Sequence, residues 1–229
     1  MCPTGPSFDL TISNEENASV NSELSLLYHR HAVSKLAEAL TANSTNKKLS
    51  ENQFNTVVTQ LHLNILDLDT VGSAMFNFYK GFKTKGYYDL SKLLVVAAML
   101  GAGSTEERVA VLFDLLPARE EGMATSLSLE WLVDQVFFVA VKCMLQLTEA
   151  EASVRGVSLT ADQVTAYMTR FTGNMPQAKP AAVQHVLKGR QRVSRQDLAT
   201  ALDGSGVLGK FLKPLEARTF FLRDEFTPK

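Results

Sequence analysis

The sequence predicts an all-α protein. Apolar residues recur at helical spacing along most of the chain, strand-like alternation is scarce, and Gly and Pro fall mainly between the periodic segments. Taken in order, residues 1–21 (MCPTGPSFDLTISNEENASVN) are polar and read as a flexible N-terminal tail. A first helix is expected over 22–41. A second, over 50–61, opens on the capping box Ser50-Glu-Asn-Gln53, in which the serine oxygen takes an orphan amide and the glutamine reaches back. Helices follow over 70–80 and 90–101. Ser104-Thr-Glu-Glu107 opens 105–116, then comes 129–149, and Thr160-Ala-Asp-Gln163 opens 161–171. Further helices are expected over 177–188, 195–202 and 206–213, and a C-terminal tail over 214–229.

Composition narrows the function classes. The 229 residues are 45% apolar and 21% charged with a formal net charge of −1, so no global field draws the chain to nucleic acid or a membrane surface. Two cysteines, Cys2 and Cys143, exclude a disulfide scaffold and suit a reducing compartment. The N-terminus lacks the apolar stretch of a secretory signal, residue 2 is not the glycine that N-myristoylation requires, and the apolar run 93–100 is too short to span a bilayer. The expected location is cytoplasmic.

Enzyme motifs are weak. His29 and His31 are two apart on a helix and face different ways, and His62 and His185 have no spaced partner. The glycines of LGAGS and DGSGVLG follow no expected strand and make no phosphate loop.

A spacing is more informative. Leu49-Ser50, Tyr88-Asp89 and Leu127-Ser128 are each an apolar residue followed by a capping residue, 39 residues apart, and Val193-Ser194 repeats the pairing later. The implied unit is helix, loop of about a dozen residues, helix. It resembles the EF-hand, whose loop offers oxygens at positions 1, 3, 5, 7, 9 and 12 around a turn glycine at position 6. The pairs would then be positions 8 and 9. The ligands are missing. In GFKTKGYYDLSK (81–92), Lys83, Lys85 and Lys92 stand at positions 3, 5 and 12, and an ammonium group repels a cation and has no lone pair to donate. Loop 42–53 has neutral oxygens and no carboxylate, and loop 186–197 keeps only Asp197. The third loop has two registers. The repeat puts Glu120 at position 1 and Trp131 at 12, whereas taking Gly122 as the turn glycine puts Pro117 at 1 and Ser128 at 12. Neither gives a calcium site, and no cofactor is expected.

The order of features is similar to the calmodulin superfamily, nearest the calaxin, neuronal calcium sensor and calcineurin B group. LSENQFNTVVTQLHL resembles a first exit helix. YYDLSKLLVVAAMLGAGSTEERVAVLFDLL resembles a second exit helix, its linker and a third entering helix, and VSRQDLATALDGSGVLGKFLKPLEA resembles the last exit helix. The resemblance implies two degenerate lobes, 22–103 and 104–213, each of two helix–loop–helix units. It also implies a non-enzymatic, calcium-independent scaffold, with a cytoskeletal or ciliary, dynein-docking setting by analogy to calaxin. The alternative is a calcium sensor with atypical sites.

Such a fold takes a partner helix in an apolar groove. On 129–147, Leu129, Leu132, Val133, Val136, Ala140 and Cys143 form one stripe, and Trp131, Phe138 and Leu145 a second, flanked by Asp134, Gln135 and Lys142. On 90–101, Val95, Val96 and Met99 stand opposite Leu90, Leu93, Leu94 and Ala97. The second stripes are candidate groove residues or additional core. Phe220, Phe221 and Leu222 of the tail are a third option, as an internal filler. The cluster Lys188, Arg190, Arg192 and Arg195 is a solvated loop or a contact for an acidic protein surface.

Overall fold

In the first half of the chain, short apolar strands lock neighbouring loops together and aim the helices that come after them. The computed structural model describes residues 13–155, 160–203 and 207–226. Strand β1 (Lys48–Leu49) pairs antiparallel with β3 (Tyr87–Asp89), setting Leu49 opposite Tyr88, and β2 (Lys83–Thr84) closes the other edge of β3. In the second half, β4 (Ala124–Thr125) pairs with β5 (Arg192–Val193), setting Ala124 opposite Val193. The β1–β3 and β4–β5 pairings each bury an apolar pair: Leu49, Tyr88, Ala124 and Val193 are all inaccessible to solvent.

The helices start where local chemistry dictates. Ser13 caps α1 (Asn14–Ser25), so residues 14–21 are helical, a correction to the expected tail; residues 1–12 lie outside the described residues. The helix expected over 22–41 is broken, because Leu27 adopts a left-handed conformation (φ 66°) before a 3₁₀ turn at Tyr28–Arg30, and α2 (Val33–Ala42) comes next. The capping boxes at Ser50, Ser104 and Thr160 form as expected, at the starts of α3 (Glu51–Gln60), α6 (Thr105–Phe113) and α9 (Ala161–Leu187). Ser73 caps α4 (Ala74–Lys80), and Asp89 caps α5 (Leu90–Leu100). Ser194 caps α10 (Arg195–Leu202).

Three elements depart further from expectation. Helix α7 (Ser126–Phe137) runs through a π-helical segment, Phe138–Cys143, into α8 (Met144–Arg155). By length and mean hydropathy the stretch Ser126–Glu151 could cross a membrane, which the short run at 93–100 could not, but 67% of its most apolar window is buried inside the protein, as in a core helix. The two helices expected over 161–171 and 177–188 are one, α9, with Pro176 and Pro180 inside it. Each proline removes one backbone hydrogen bond, and packing against α7 and α11 holds the helix together across both. Finally, described residues 207–213 form turns instead of a helix, and the expected C-terminal tail contains α11 (Pro214–Phe221), with proline in its first turn.

The core is continuous across both halves. Helix α5 is buried nearly all round, α4 packs on α8, α5 on α7, and α1 crosses to α8. The linker between the halves is tied down by Arg108, whose guanidinium donates to the carbonyls of Ala98, Met99 (2.9 Å), Gly101 (2.7 Å) and Gly103 (3.3 Å), covering the open C-terminal end of α5. Position 101 has to be glycine: a Cβ there would stand 2.6 Å from the Ala97 carbonyl and 2.7 Å from Leu36 Cδ1.

Candidate binding cleft and the closed loops

Each of the four loops is closed by the third residue of the helix it leads into. Gln53 donates to Thr45 Oγ1 (3.0 Å), Lys92 Nζ reaches the Gly81 carbonyl (3.4 Å), Ser128 Oγ donates to the Pro117 carbonyl (2.6 Å), and Asp197 accepts from Arg190 Nη1 (2.8 Å). The helix cap places that residue over its own loop, since the third position faces back toward the capping residue. Three of the loops also fold into two-residue hairpins. Positive φ falls at Asn46-Lys47, Lys85-Gly86 and Glu121-Gly122, the pair of left-handed residues a type I′ turn needs. In the first and third loops, the Lys48 and Met123 carbonyls accept from the Thr45 and Glu120 amides, at 2.8 and 3.0 Å. The Gly122 register is the one adopted. Thr125, not Ser128, caps α7, and Leu127 is 64% exposed, so the strict 39-residue repeat ends at Tyr88. Hydrogen bonds from Arg190 and Ser194 hold the Asp197 carboxyl down at about 2. Among the described residues no group of three or more His, Cys, Asp or Glu side chains is placed to hold a metal ion.

The predicted groove residues separate. Val95, Val96, Met99 and Leu145 are at most 2% exposed and belong to the core, a correction to their assignment as partner-binding. Trp131 is partly buried and packs against that core. Phe138 lines an open cleft. The Trp131–Phe138–Leu145 stripe fails because the π turn after Phe138 carries an extra residue, rotating the later part of the helix by roughly 100° and driving Leu145 inward. The tail supplies its own filler: Phe220 and Phe221 are buried with Phe211 in edge-to-face contacts, and Phe226 packs on Phe220 at a tilt. Between α7, α9, α10 and Phe211 only about 10 Å³ is left open.

The cleft, about 600 Å³, lies between the π segment and α9. Its floor is Phe137, Phe138, Met175, Pro176 and Pro180, and its rim carries Lys92, Lys142 and Lys179 with Asp134. Lys179 pairs with Asp134 at 2.7 Å, and Lys92 sits 5.4 Å from the Phe138 ring centroid. Cys143 lies beneath, and burial pushes its thiol up to about 12, so it is inert there as a nucleophile.

The basic cluster is largely answered within the chain. Arg190 pairs with Asp197 at 2.8 Å, and Arg192 with Glu121 at 3.1 Å and Glu120 at 3.8 Å, while Lys188 and Arg195 stay exposed. The acids that meet Arg192 come from the third loop, brought alongside by the β4–β5 pairing.

Sequence reasoning missed the buried ionic cluster around Arg218. This side chain is fully buried, bonds both Glu16 carboxylate oxygens (2.9–3.0 Å), approaches Glu23 at 2.8 Å, and donates to the Ala140 carbonyl (2.9 Å) inside the π segment. The Tyr167 hydroxyl donates to the same Glu16. No sequence signal joins these residues, which lie on α1, α9 and α11. No family model, curated protein or solved structure matches the chain.

Proposed function

We propose that the chain is a non-enzymatic protein-binding module, an EF-hand-like scaffold that works without calcium and receives a partner helix in the Phe138 cleft. The observation that carries this reading is the cleft itself: an open apolar floor with a partly exposed aromatic ring. The loop chemistry supports the calcium-independent part. In a calcium loop the position-12 side chain and the position-7 carbonyl both turn to the ion. Here Gln53, Lys92, Ser128 and Asp197 at position 12 are engaged with their own loops, and the Lys48 and Met123 carbonyls at position 7 accept from backbone amides. At two loops a protein cation, Lys92 or Arg190, makes the closing contact.

Two measurements test the reading together. Melting temperature is expected to be the same in calcium and in chelator, because a ligand that binds only the native state would raise it. Affinity purification from the native cell with wild-type and Phe138→Asp baits is expected to yield partners lost with the variant and indifferent to chelator. A calcium-dependent rise in melting temperature, or partners held equally by the variant, would overturn it.

A further inference from the structure

We propose that the partner is an acidic amphipathic helix that seats a large apolar side chain on Phe138 and sets carboxylates against the lysine rim. This rests on the cleft reading above and adds the chemistry of the occupant. The rim carries three ammonium groups from three elements, Lys92 on α5, Lys142 on the π segment and Lys179 on α9, against one carboxylate, Asp134. That carboxylate is already taken by Lys179. Lys142 is exposed and makes no ion pair among the described residues, and Lys92 contacts only a carbonyl at 3.4 Å and the Phe138 ring. The charged side chains that line the cleft therefore sum to a net positive charge on a chain whose formal charge is −1. The sign at a cleft's mouth selects partners and speeds their approach even where it adds little to affinity.

The α9 wall adds a second feature. Pro176 and Pro180 have no amide hydrogen, so the carbonyls of Thr172 and Pro176 lack the donor four residues on. Both residues line the cleft. The two proline rings keep that wall apolar, which suits a large apolar anchor on the partner helix. The arginine-rich loop at 188–195 is the weaker candidate for an acidic partner, since Arg190 and Arg192 already face Asp197, Glu120 and Glu121.

The test is selection of a displayed library of randomised helical peptides against the full chain at low salt, followed by titration of the enriched sequences. Enrichment of acidic peptides carrying a large apolar anchor is expected. Their affinity should fall at least tenfold on Lys142→Glu and fall steeply as salt is raised. Binding should be lost on Phe138→Asp or on Thr172→Trp, which blocks the cleft from an exposed rim position and serves where the aspartate disturbs folding. Neutral or basic peptides that still depend on Phe138 and Thr172 would overturn the acidic-partner inference and leave the cleft standing. Peptides indifferent to both variants, or no enrichment at all, would overturn both.

Discussion

At Arg218 one buried guanidinium meets two carboxylates, and the two are not equivalent. Glu16 meets the guanidinium through both carboxylate oxygens, whereas Glu23 meets it through one, Oε1, 2.8 Å from Nη2. The Glu23 carboxyl is raised above its ordinary value of 4.5, chiefly by burial, with the charge and hydrogen bond of Arg218 pulling the other way. An acid with a raised folded pKa holds its proton more tightly in the native state. Its cost to stability is absent below the ordinary value and sets in as pH rises through the raised one. Glu23→Gln is thus expected to raise the melting temperature at neutral pH, with the gain vanishing in acid. Glu16→Gln should lower it, and Arg218→Met should cost about 3–5 kcal/mol by stranding both carboxylates. Thermal melts across pH check all three; equal effects of the two Glu variants would refute the asymmetry. None of this was legible in the sequence. Glu16 and Arg218 lie near opposite ends of the chain, and EEN and LEAR read there as parts of the N-terminal and C-terminal tails.

The loop-and-helix unit was far more legible. Capping boxes at Ser50, Ser104 and Thr160 are local hydrogen-bond chemistry within four residues, so the sequence alone places them. The pairing of Leu49 with Tyr88 agrees with the same spacing. The third loop misled because Leu127-Ser128 imitates the apolar-cap pair, while Thr125 and Gly122 offer a hairpin that also buries Ala124 against Val193. Ser128 is fully buried there, and its hydroxyl closes the loop on Pro117. Ser128→Ala is expected to cost about 0.5–1.5 kcal/mol in urea unfolding, the net worth of one hydrogen bond, since Pro117 is exposed and water can reach its carbonyl; a cost within error would show that the hairpin alone holds the loop. The π segment was illegible for a different reason. Its extra residue is held by the Ala140 carbonyl's contact with Arg218, a tertiary interaction, so a stripe drawn at 3.6 residues per turn fails beyond Phe138.

Across the whole molecule, the two halves expected as lobes share one buried cluster, clasped by α1 on α8 and by Arg108 on the linker. Such a core is expected to unfold in a single urea transition, with tryptophan fluorescence from Trp131 and far-ultraviolet circular dichroism coinciding. Two separated transitions would show that the halves are independent. Ser19, Ser22 and Ser25 of α1 face Thr148 and Glu151 of α8 through hydrogen bonds instead of apolar contact, which is why the periodicity gave no hint of that helix. The sequence by itself determined the helical class, where most helices begin, and that the loops 81–92 and 186–197 carry cations where a calcium loop carries acids. Those properties depend on residues a few positions apart. The tertiary structure alone decided which apolar stripe is core and which faces the cleft, that the tail fills the C-terminal half, and that Arg218 ties both ends of the chain together. Each of those depends on which distant surface covers a residue, and helical periodicity reports that a face is apolar without reporting what lies against it.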